Sequence, residues 1–145
     1  MKKVHDLIRR QNATAATLAK FRGKPFDWKR GLTCVHLARF HLRAMGHKLT
    51  KVPPIRSALG ARRALDGNGW SSVTAMLEAQ GLERIAPAQL LLGDLIVIEQ
   101  EEELGLGAIL VAASPFKFAG WDARADKLCL LDIADRGEIS AAFRC

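Results

Sequence analysis

The fold is decided by residues 33–46, whose sequence is TCVHLARFHLRAMG. The apolar residues of this stretch recur at helical spacing, the threonine at its start can cap a helix, and the glycine at its end can terminate one. The pattern therefore predicts a helix that is capped by Thr33 and ends before Gly46. Cys34 lies in the first turn of this helix, where the helix dipole favours negative charge. This position makes Cys34 the most chemically suggestive residue of the chain.

The sequence predicts further helices on both sides of this stretch. Their apolar residues recur every three to four positions, and glycine or proline follows the helical pattern. Ser57 precedes one such pattern and either Ser71 or Ser72 precedes another, so these serines can act as N-caps. The predicted spans are residues 3–21, 57–65 and 72–81. With residues 33–45 they make a helical half over residues 1–81.

The hydrophobic period changes after a turn formed by Gly93 and Asp94. The run LIVI at residues 95–98 is short, apolar and rich in β-branched residues, which is typical of a buried strand. We predict strands over residues 95–98, 104–111, 117–121, 127–131 and 139–144. Helices followed by strands indicate the α+β class, with N-terminal helices packed on a mostly antiparallel C-terminal sheet in a β-rich half over residues 82–145.

The composition indicates one globular domain over residues 1–145. The chain has 145 residues, of which 49% are hydrophobic and 26% charged, a balance far from that of disordered chains. The first residues lack the apolar run of a signal peptide, and no stretch has the roughly 20 apolar residues that span a bilayer. We therefore expect a protein made in the bacterial cytoplasm, without membrane insertion. Three widely spaced cysteines, Cys34, Cys129 and Cys145, argue against a disulfide framework.

Positive charge is concentrated in the first half of the chain. Up to Ser72 the sequence has 16 lysines and arginines against 3 acidic residues, and beyond Ser72 it has 6 against 12, within a net charge of +7. A basic half can meet an acidic protein, nucleic acid or an anionic polymer such as a cell-wall glycan, because the long-range field does not distinguish among them. A protein partner or plain solubility explains the asymmetry better than nucleic acid does.

A cysteine in the first turn of a helix, followed by a meander of strands, resembles the arrangement of papain-like and NlpC-like cysteine peptidases. A finer pattern resembles an uncharacterised family of phage and prophage proteins related to the NlpC fold. The matching segments are GKPFDWKR at residues 23–30, Thr33-Cys34 with Ala38, residues 58–65, residues 87–97 with Gly93-Asp94, GLG at residues 105–107 and AFR at residues 142–144. Genes of this kind tend to lie among phage tail genes. The resemblance therefore implies a virion component or assembly factor at the tail tip, with other tail proteins as partners.

Cys34 meets half of the requirements of a catalytic nucleophile. The helix dipole together with Lys29 or Arg30 would favour its thiolate. The alternative is a small buried residue that packs the helix against the sheet. In active relatives, the resemblance implies a histidine near the start of the second strand as the base, but this chain has LGLG at residues 104–107. No strand histidine is found, which argues against peptidase activity.

The four histidines all precede the predicted sheet: His5, His36, His41 and His47. His36 projects about 200° away from Cys34 around the helix, and His41 lies about 10 Å farther along the helix axis. His5 can approach Cys34 only if the first helix crosses the start of the second. We predict that the histidines are surface or partly buried polar residues.

Nothing in the sequence predicts a metal ion or another cofactor. The spacing of Cys34 and the histidines matches no zinc site, and GLG at residues 105–107 lacks the third glycine and the following helix of a phosphate loop. Trp28, Trp70 and Trp121 are predicted to be core or interface anchors rather than stacking platforms.

Three functions follow from these observations. The favoured hypothesis is a phage tail-tip structural or assembly protein built on an inactive NlpC-like fold, which binds tail hub or tip proteins or peptidoglycan. The first alternative is a cysteine amidase or endopeptidase that cleaves peptidoglycan through Cys34 with an unrecognised base. The second alternative is a small basic nucleic-acid-binding protein.

Overall fold

Helices and strands are segregated along the chain, as the α+β pattern predicts. The computed structural model describes residues 6–99, 106–114, 116–121, 126–133 and 138–145. Within these residues the helices are α1 (Asp6–Phe21), α2 (Cys34–Ala44), α3 (Ala58–Gly67) and α4 (Val73–Ala79). The strands are β1 (Glu83–Ile85), β2 (Leu95–Ile98), β3 (Ala108–Ala112), β4 (Lys117–Gly120), β5 (Cys129–Asp132) and β6 (Ala141–Arg144). None of the described helices has the length and apolar character needed to cross a membrane.

The helices begin where the sequence offers a side-chain cap. Thr33, Ser57 and Ser72 each adopt extended backbone angles immediately before a helix. Each side-chain oxygen accepts a hydrogen bond from the backbone N–H three residues later, at distances of 2.9 to 3.4 Å. The first cap places Cys34 at the first position of α2. Of the two serines predicted as alternatives for α4, the helix uses Ser72.

The strands form a single antiparallel sheet in the order β1-β6-β2-β3-β4-β5. β2 lies inside the sheet, where Leu95 pairs with Val111 of β3 on one side and with Phe143 of β6 on the other. The sequence did not predict β1, which has three residues, or the short 3₁₀ turn Pro87–Gln89. The second predicted strand begins later than expected, because Leu106 precedes β3 without joining it and residues 104–105 lie outside the described residues.

Strand residues alternate between two apolar clusters, one on each face of the sheet. The helices cover one face, where the buried side of α2 packs beside the sheet. This cluster includes Leu37, Ala38, Leu42, Leu95, Ile109, Val111 and Phe143. The opposite face forms a smaller cluster of Ile96, Leu110, Ala112, Phe118, Ile133, Ile139 and Ala142. Burial on both faces explains why the β2 sequence is apolar without alternation.

A fully buried carboxylate, Asp94, connects α1 to the turn before β2 and to the C-terminal end of β6. Its Oδ1 accepts from Arg10 Nη1 at 2.8 Å and from the backbone N–H of Cys145 at 3.1 Å. Its Oδ2 accepts from the backbone N–H of Leu91 at 2.9 Å and from Arg144 Nε at 3.0 Å. Burial lowers the pKa of Arg10, but the hydrogen bonds that Arg10 donates to Asp6 and Asp94 outweigh that effect and raise it.

His41 forms a second buried polar contact beside Asp94. Contrary to the prediction of a surface or partly buried residue, its side chain is fully buried. Its Nε2 donates to the Gly93 carbonyl oxygen at 2.7 Å, and its Nδ1 lies 2.8 Å from Thr17 Oγ1 of α1. These partners satisfy both ring nitrogens, which makes the burial of a polar ring tolerable. His41 therefore ties α2 to α1 and to the turn that precedes β2.

We expect Asp94→Asn to lower the free energy of unfolding by about 3 to 5 kcal/mol, because the change removes the buried counter-charge of Arg10 and leaves it only the 58% exposed Asp6. Urea denaturation followed by circular dichroism measures this loss. The control is Asp66→Asn, which removes an exposed carboxylate paired with Arg62 and should cost at most about 1 kcal/mol. Equal losses in the two variants would contradict the anchoring role of Asp94.

Stability is also expected to depend on pH through His41. Burial is the main reason that the pKa of His41 falls from 6.5 to about 4 in the folded protein. Between these values the unfolded chain binds a proton that the folded protein excludes, so the free energy of unfolding decreases as the pH drops. The expected loss through this residue is about 2 kcal/mol between pH 7 and pH 5. Denaturation at several pH values should show a shallower pH dependence for His41→Gln, and an unchanged dependence would refute this assignment.

Candidate functional site

Cys34 lies at the junction of α2 and the sheet. Its side chain is 5% exposed and belongs to the cluster between the helices and the sheet. The Cys34 Sγ contacts the carbonyl oxygen of Gly107, the residue before β3, at 3.9 Å. A carbonyl oxygen can only accept a hydrogen bond, so any hydrogen bond in this long contact is donated by the thiol S–H. A peptidase nucleophile needs the thiolate instead.

A small cleft of about 50 Å³ opens beside the sulfur. The ring of Phe26 meets the rings of Trp28 and Trp121 edge to face, with centroids 5.6 and 5.8 Å apart. The Trp121 indole N–H donates to the Lys24 carbonyl oxygen at 2.8 Å, which fixes the ring in place. We call this the Cys34 cleft, and its lining consists of Phe26, Trp28, Cys34, Leu106, Gly107, Ala108 and Trp121. Apart from the thiol, the side chains that line it are aromatic or aliphatic.

The loop between α1 and α2 assembles the aromatic wall of the cleft. Pro25 forms an isolated bridge with Lys127, next to β5, and a second bridge joins Asp27 to Leu32. The Asp27 carboxylate also accepts from the backbone N–H of Lys29 at 2.9 Å, which tightens the turn. These contacts hold the loop aromatics against Trp121, although the segments are about 95 positions apart in sequence.

Gly107 ends the segment LGLG at residues 104–107, where the family resemblance implies a histidine near the start of the second strand. Its φ of +74° is a left-handed conformation that glycine adopts without strain. A Cβ built on Gly107 would lie 3.1 Å from the Ile98 carbonyl oxygen. An imidazole at this position would therefore strain the backbone and crowd β2. At Gly107 the group that contacts the Cys34 sulfur is therefore a backbone carbonyl and not a titratable side chain.

His36 is two residues from Cys34 but binds elsewhere. Its Nε2 donates to the Ile55 carbonyl oxygen at 3.0 Å, so Nδ1 accepts from the Thr33 hydroxyl at 2.7 Å. Burial is the main cause of its lowered pKa, and the nearby Arg39 lowers it further. The neutral ring of His36 thus holds the segment 51–56 against α2.

Neither of the other two histidines in the described residues, His41 and His47, can serve as a base for Cys34. His41 uses both ring nitrogens in the contacts with Thr17 and Gly93. His47 follows the C-terminal end of α2, more than about 15 Å along the helix axis from Cys34. His5 lies outside the described residues. The structure therefore does not bring His36, His41 or His47 to the sulfur.

The other two thiols, Cys129 and Cys145, and the described acidic groups do not come together in a second site. Cys129 is partly buried in β5, and burial raises the pKa of the Cys145 thiol to about 12. Across the described ranges, no three histidine, cysteine or carboxylate side chains converge in a way that could hold a metal ion. The acidic residues 101–103 lie outside those ranges.

Sequence reasoning identified Cys34 but not the aromatic wall around it. Trp28 and Trp121 were predicted to be core or interface anchors, and both do pack against the main apolar cluster. Their second role, as walls of the Cys34 cleft, depends on a loop-to-strand contact. The hydrophobic periodicity of the sequence cannot predict a contact of this kind, because it joins segments that are far apart in the chain.

Solved structures similar to this chain are NlpC/P60 domain proteins. A Staphylococcus aureus protein similar to a lipoprotein of the NLP/P60 family is 16% identical with a TM-score of 0.63, and the match covers 99% of this chain but only 43% of that protein. RipD of Mycobacterium tuberculosis, described as a non-catalytic NlpC/p60 domain protein adapted to peptidoglycan binding, is 15% identical with a TM-score of 0.56. That match covers 94% of this chain and 96% of RipD. The P60 domain of a Mycobacterium avium paratuberculosis antigen is 16% identical with a TM-score of 0.53, over 94% of this chain and 95% of that domain.

At this level of identity the similarity shows the fold, which is NlpC-like as the sequence resemblance implied. No curated protein matches the chain in sequence. A family model described as a domain of unknown function, DUF6950, matches residues 7–145. The chain therefore belongs to the DUF6950 family and has the α+β fold of NlpC/P60 domains.

Proposed function

We propose that this protein is a non-catalytic binding module of the NlpC/P60 fold, which serves as a structural or assembly component of a phage tail tip. The observation that carries the proposal is the contact between the Cys34 sulfur and the carbonyl oxygen of Gly107. This contact replaces the strand histidine that the family resemblance implies for active relatives. Cys34, at the start of α2, is instead packed into the core.

The chemistry of amide cleavage supports this assignment. A cysteine nucleophile requires a base that removes its proton and later protonates the leaving amine. His36 and His41 each commit both ring nitrogens to other partners, and breaking those contacts would leave buried polar groups unsatisfied. To act as a base for Cys34, either ring would also have to give up the contacts that join α2 to the rest of the fold.

Peptidoglycan is the ligand that we propose for the Cys34 cleft. RipD, a structural neighbour, is described as non-catalytic and adapted to peptidoglycan binding. The cleft in this chain keeps an aromatic wall of Phe26, Trp28 and Trp121, and Phe26 is 45% exposed. Such rings can pack on the apolar faces of sugars and short side chains while the thiol stays protonated. The tail-tip role rests on the sequence resemblance to phage and prophage proteins.

One observation favours the alternative of a cysteine amidase or endopeptidase. Cys34 occupies the first position of α2, directly after the Thr33 cap, which is the position of a helix-activated thiol. This alternative needs a base from a part of the chain that lies outside the described residues, such as His5. It predicts rapid reaction of Cys34 with electrophiles, which provides a direct test.

We expect Cys34 to react slowly with iodoacetamide in the folded protein at pH 7, because it is 5% exposed and its thiol contacts a carbonyl oxygen. Mass spectrometry of timed digests should find Cys129 alkylated first, since it is only partly buried. Unfolding in urea is the control and should equalise the rates. Alkylation of Cys34 ahead of Cys129 in the folded protein would support the peptidase alternative.

We also expect the protein to sediment with purified peptidoglycan sacculi without releasing soluble fragments. Binding should persist in Cys34→Ala and weaken by about tenfold in Phe26→Ala, because the exposed ring is the accessible part of the cleft wall. Chromatography of the supernatant measures any cleavage. Release of fragments that disappears in Cys34→Ala would overturn the proposed non-catalytic function.

A further inference from the structure

Two adjoining clefts on the helical side of the molecule are rich in positive charge, with seven lysines and arginines among their sixteen lining residues. Their volumes are about 350 and 430 Å³, and they share Arg30, Gly31, His36, Arg39 and Arg43. We call the pair the basic groove. Its cationic residues are Lys20, Lys24, Lys29, Arg30, Arg39, Arg43 and Arg56. It shares no lining residue with the Cys34 cleft.

Among the residues that the structure describes, few negative charges face the cations of the basic groove. All of its lining residues lie in the described range 6–99, and none of them is acidic. Of the ion pairs between described residues, one involves a groove cation: Asp27 lies 3.6 Å from the 76% exposed side chain of Arg30, a geometry that contributes little. Arg39 and Arg43 stand one turn apart on α2, and after burial the charge of Arg43 is the next cause of the lowered pKa of Arg39. A bound anion would relieve this repulsion.

One wall of the groove is an extended aliphatic segment. Residues 51–56 have no helix or strand, and they contribute Val52, Pro53, Pro54 and Ile55 to the lining. The wall is held in place from α2, because His36 donates to the Ile55 carbonyl oxygen and Arg39 donates to the Thr50 carbonyl oxygen at 3.1 Å. The groove is therefore largely formed before any partner binds, which reduces the entropic cost of association.

The aromatic residues of the groove are unsuited to stacking on nucleic-acid bases. Phe21 is 1% exposed, and the ammonium group of Lys20 lies 4.9 Å above the ring centroid of Phe40. Single-stranded nucleic acid is held mainly by open aromatic faces beside a basic track. An aliphatic wall beside arginines instead fits a polypeptide that carries both carboxylates and aliphatic side chains.

We infer that the basic groove binds an extended acidic segment of a partner protein, with carboxylates on Arg39, Arg43 and Arg56 and aliphatic side chains along residues 52–55. This goes beyond the proposed function, because the groove is separate from the Cys34 cleft and binds whether or not Cys34 is catalytic. Binding of an acidic partner would also explain why lysine and arginine are concentrated in the first half of the chain.

The test measures fluorescence anisotropy of labelled probes with the full chain. The main probe is a peptide of about 12 residues, up to ~40 Å long when extended, in which glutamate alternates with valine or leucine. The same peptide with glutamine in place of glutamate tests the need for charge, and an oligothymidylate tests nucleic acid. We expect saturable binding of the acidic peptide that weakens with added salt and is lost for the glutamine peptide.

The groove variant is Arg43→Gln with Arg56→Gln, and the matched control is Lys48→Gln with Arg63→Gln. All four side chains are exposed, and the two control residues do not line the groove. The groove variant should bind the acidic peptide about tenfold or more weakly, while the control variant changes binding less than about threefold. Thermal unfolding of both variants establishes that they are folded, and Arg30→Gln offers a second groove variant.

Four results would overturn the inference. They are an absence of saturable peptide binding, equal losses in the two variants, equal binding of the glutamine peptide, and tighter binding of the oligothymidylate through the groove arginines. Cys34→Ala should bind the peptide as the wild type does. Cleavage of sacculi that depends on Cys34 would therefore refute the proposed function while leaving the result for the groove intact.

Discussion

The buried carboxylate of Asp94 is the interaction on which the arrangement of helices and sheet depends. Four donors satisfy its two oxygens, and they come from α1, from the turn before β2 and from the end of β6. Burial of a charged pair is favourable only when the remaining hydrogen-bonding capacity is satisfied, as it is here. The neighbouring residue, Gly93, accepts from His41 of α2. The position of α2 on the sheet, and with it the position of Cys34 over Gly107, is thus linked to the same turn.

Much of the fold could be predicted from local signals. The caps at Thr33 and Ser57 mark helix starts because they act within one turn, and the LIVI run marks β2 because its burial on both faces removes polar residues. β1 was missed because it has three residues and a mixed pattern, so it carries no measurable period. Asp94 was visible only as a turn residue. Its role as an anchor depends on Arg10 and Arg144, which lie 84 and 50 positions away in sequence.

The candidate site was predictable in part for the same reason. The position of Cys34 could be predicted from the local cap at Thr33. That the segment containing Gly107 faces it could be predicted only from the resemblance to NlpC-like proteins. The burial of His41 could not be predicted, since its partners belong to α1 and to the turn before β2. The excess of positive charge in the first half was evident from composition. Its concentration into a groove was not, because the groove forms only when the segment 51–56 lies along α2.

The helix α2 presents Cys34 on one of its sides and the arginines of the basic groove on another. Cys34, Ala38 and Leu42 recur every four residues on the buried side, while His36, Arg39 and Arg43 occupy the side that borders the basic groove. Catalysis at Cys34 would require a base within hydrogen-bond reach of one atom, and a single glycine at position 107 supplies backbone there instead. Binding in the groove requires only that several cations remain near one another. Binding in the groove is therefore independent of the chemistry at Cys34, because the contacts that position the arginines do not involve the thiol.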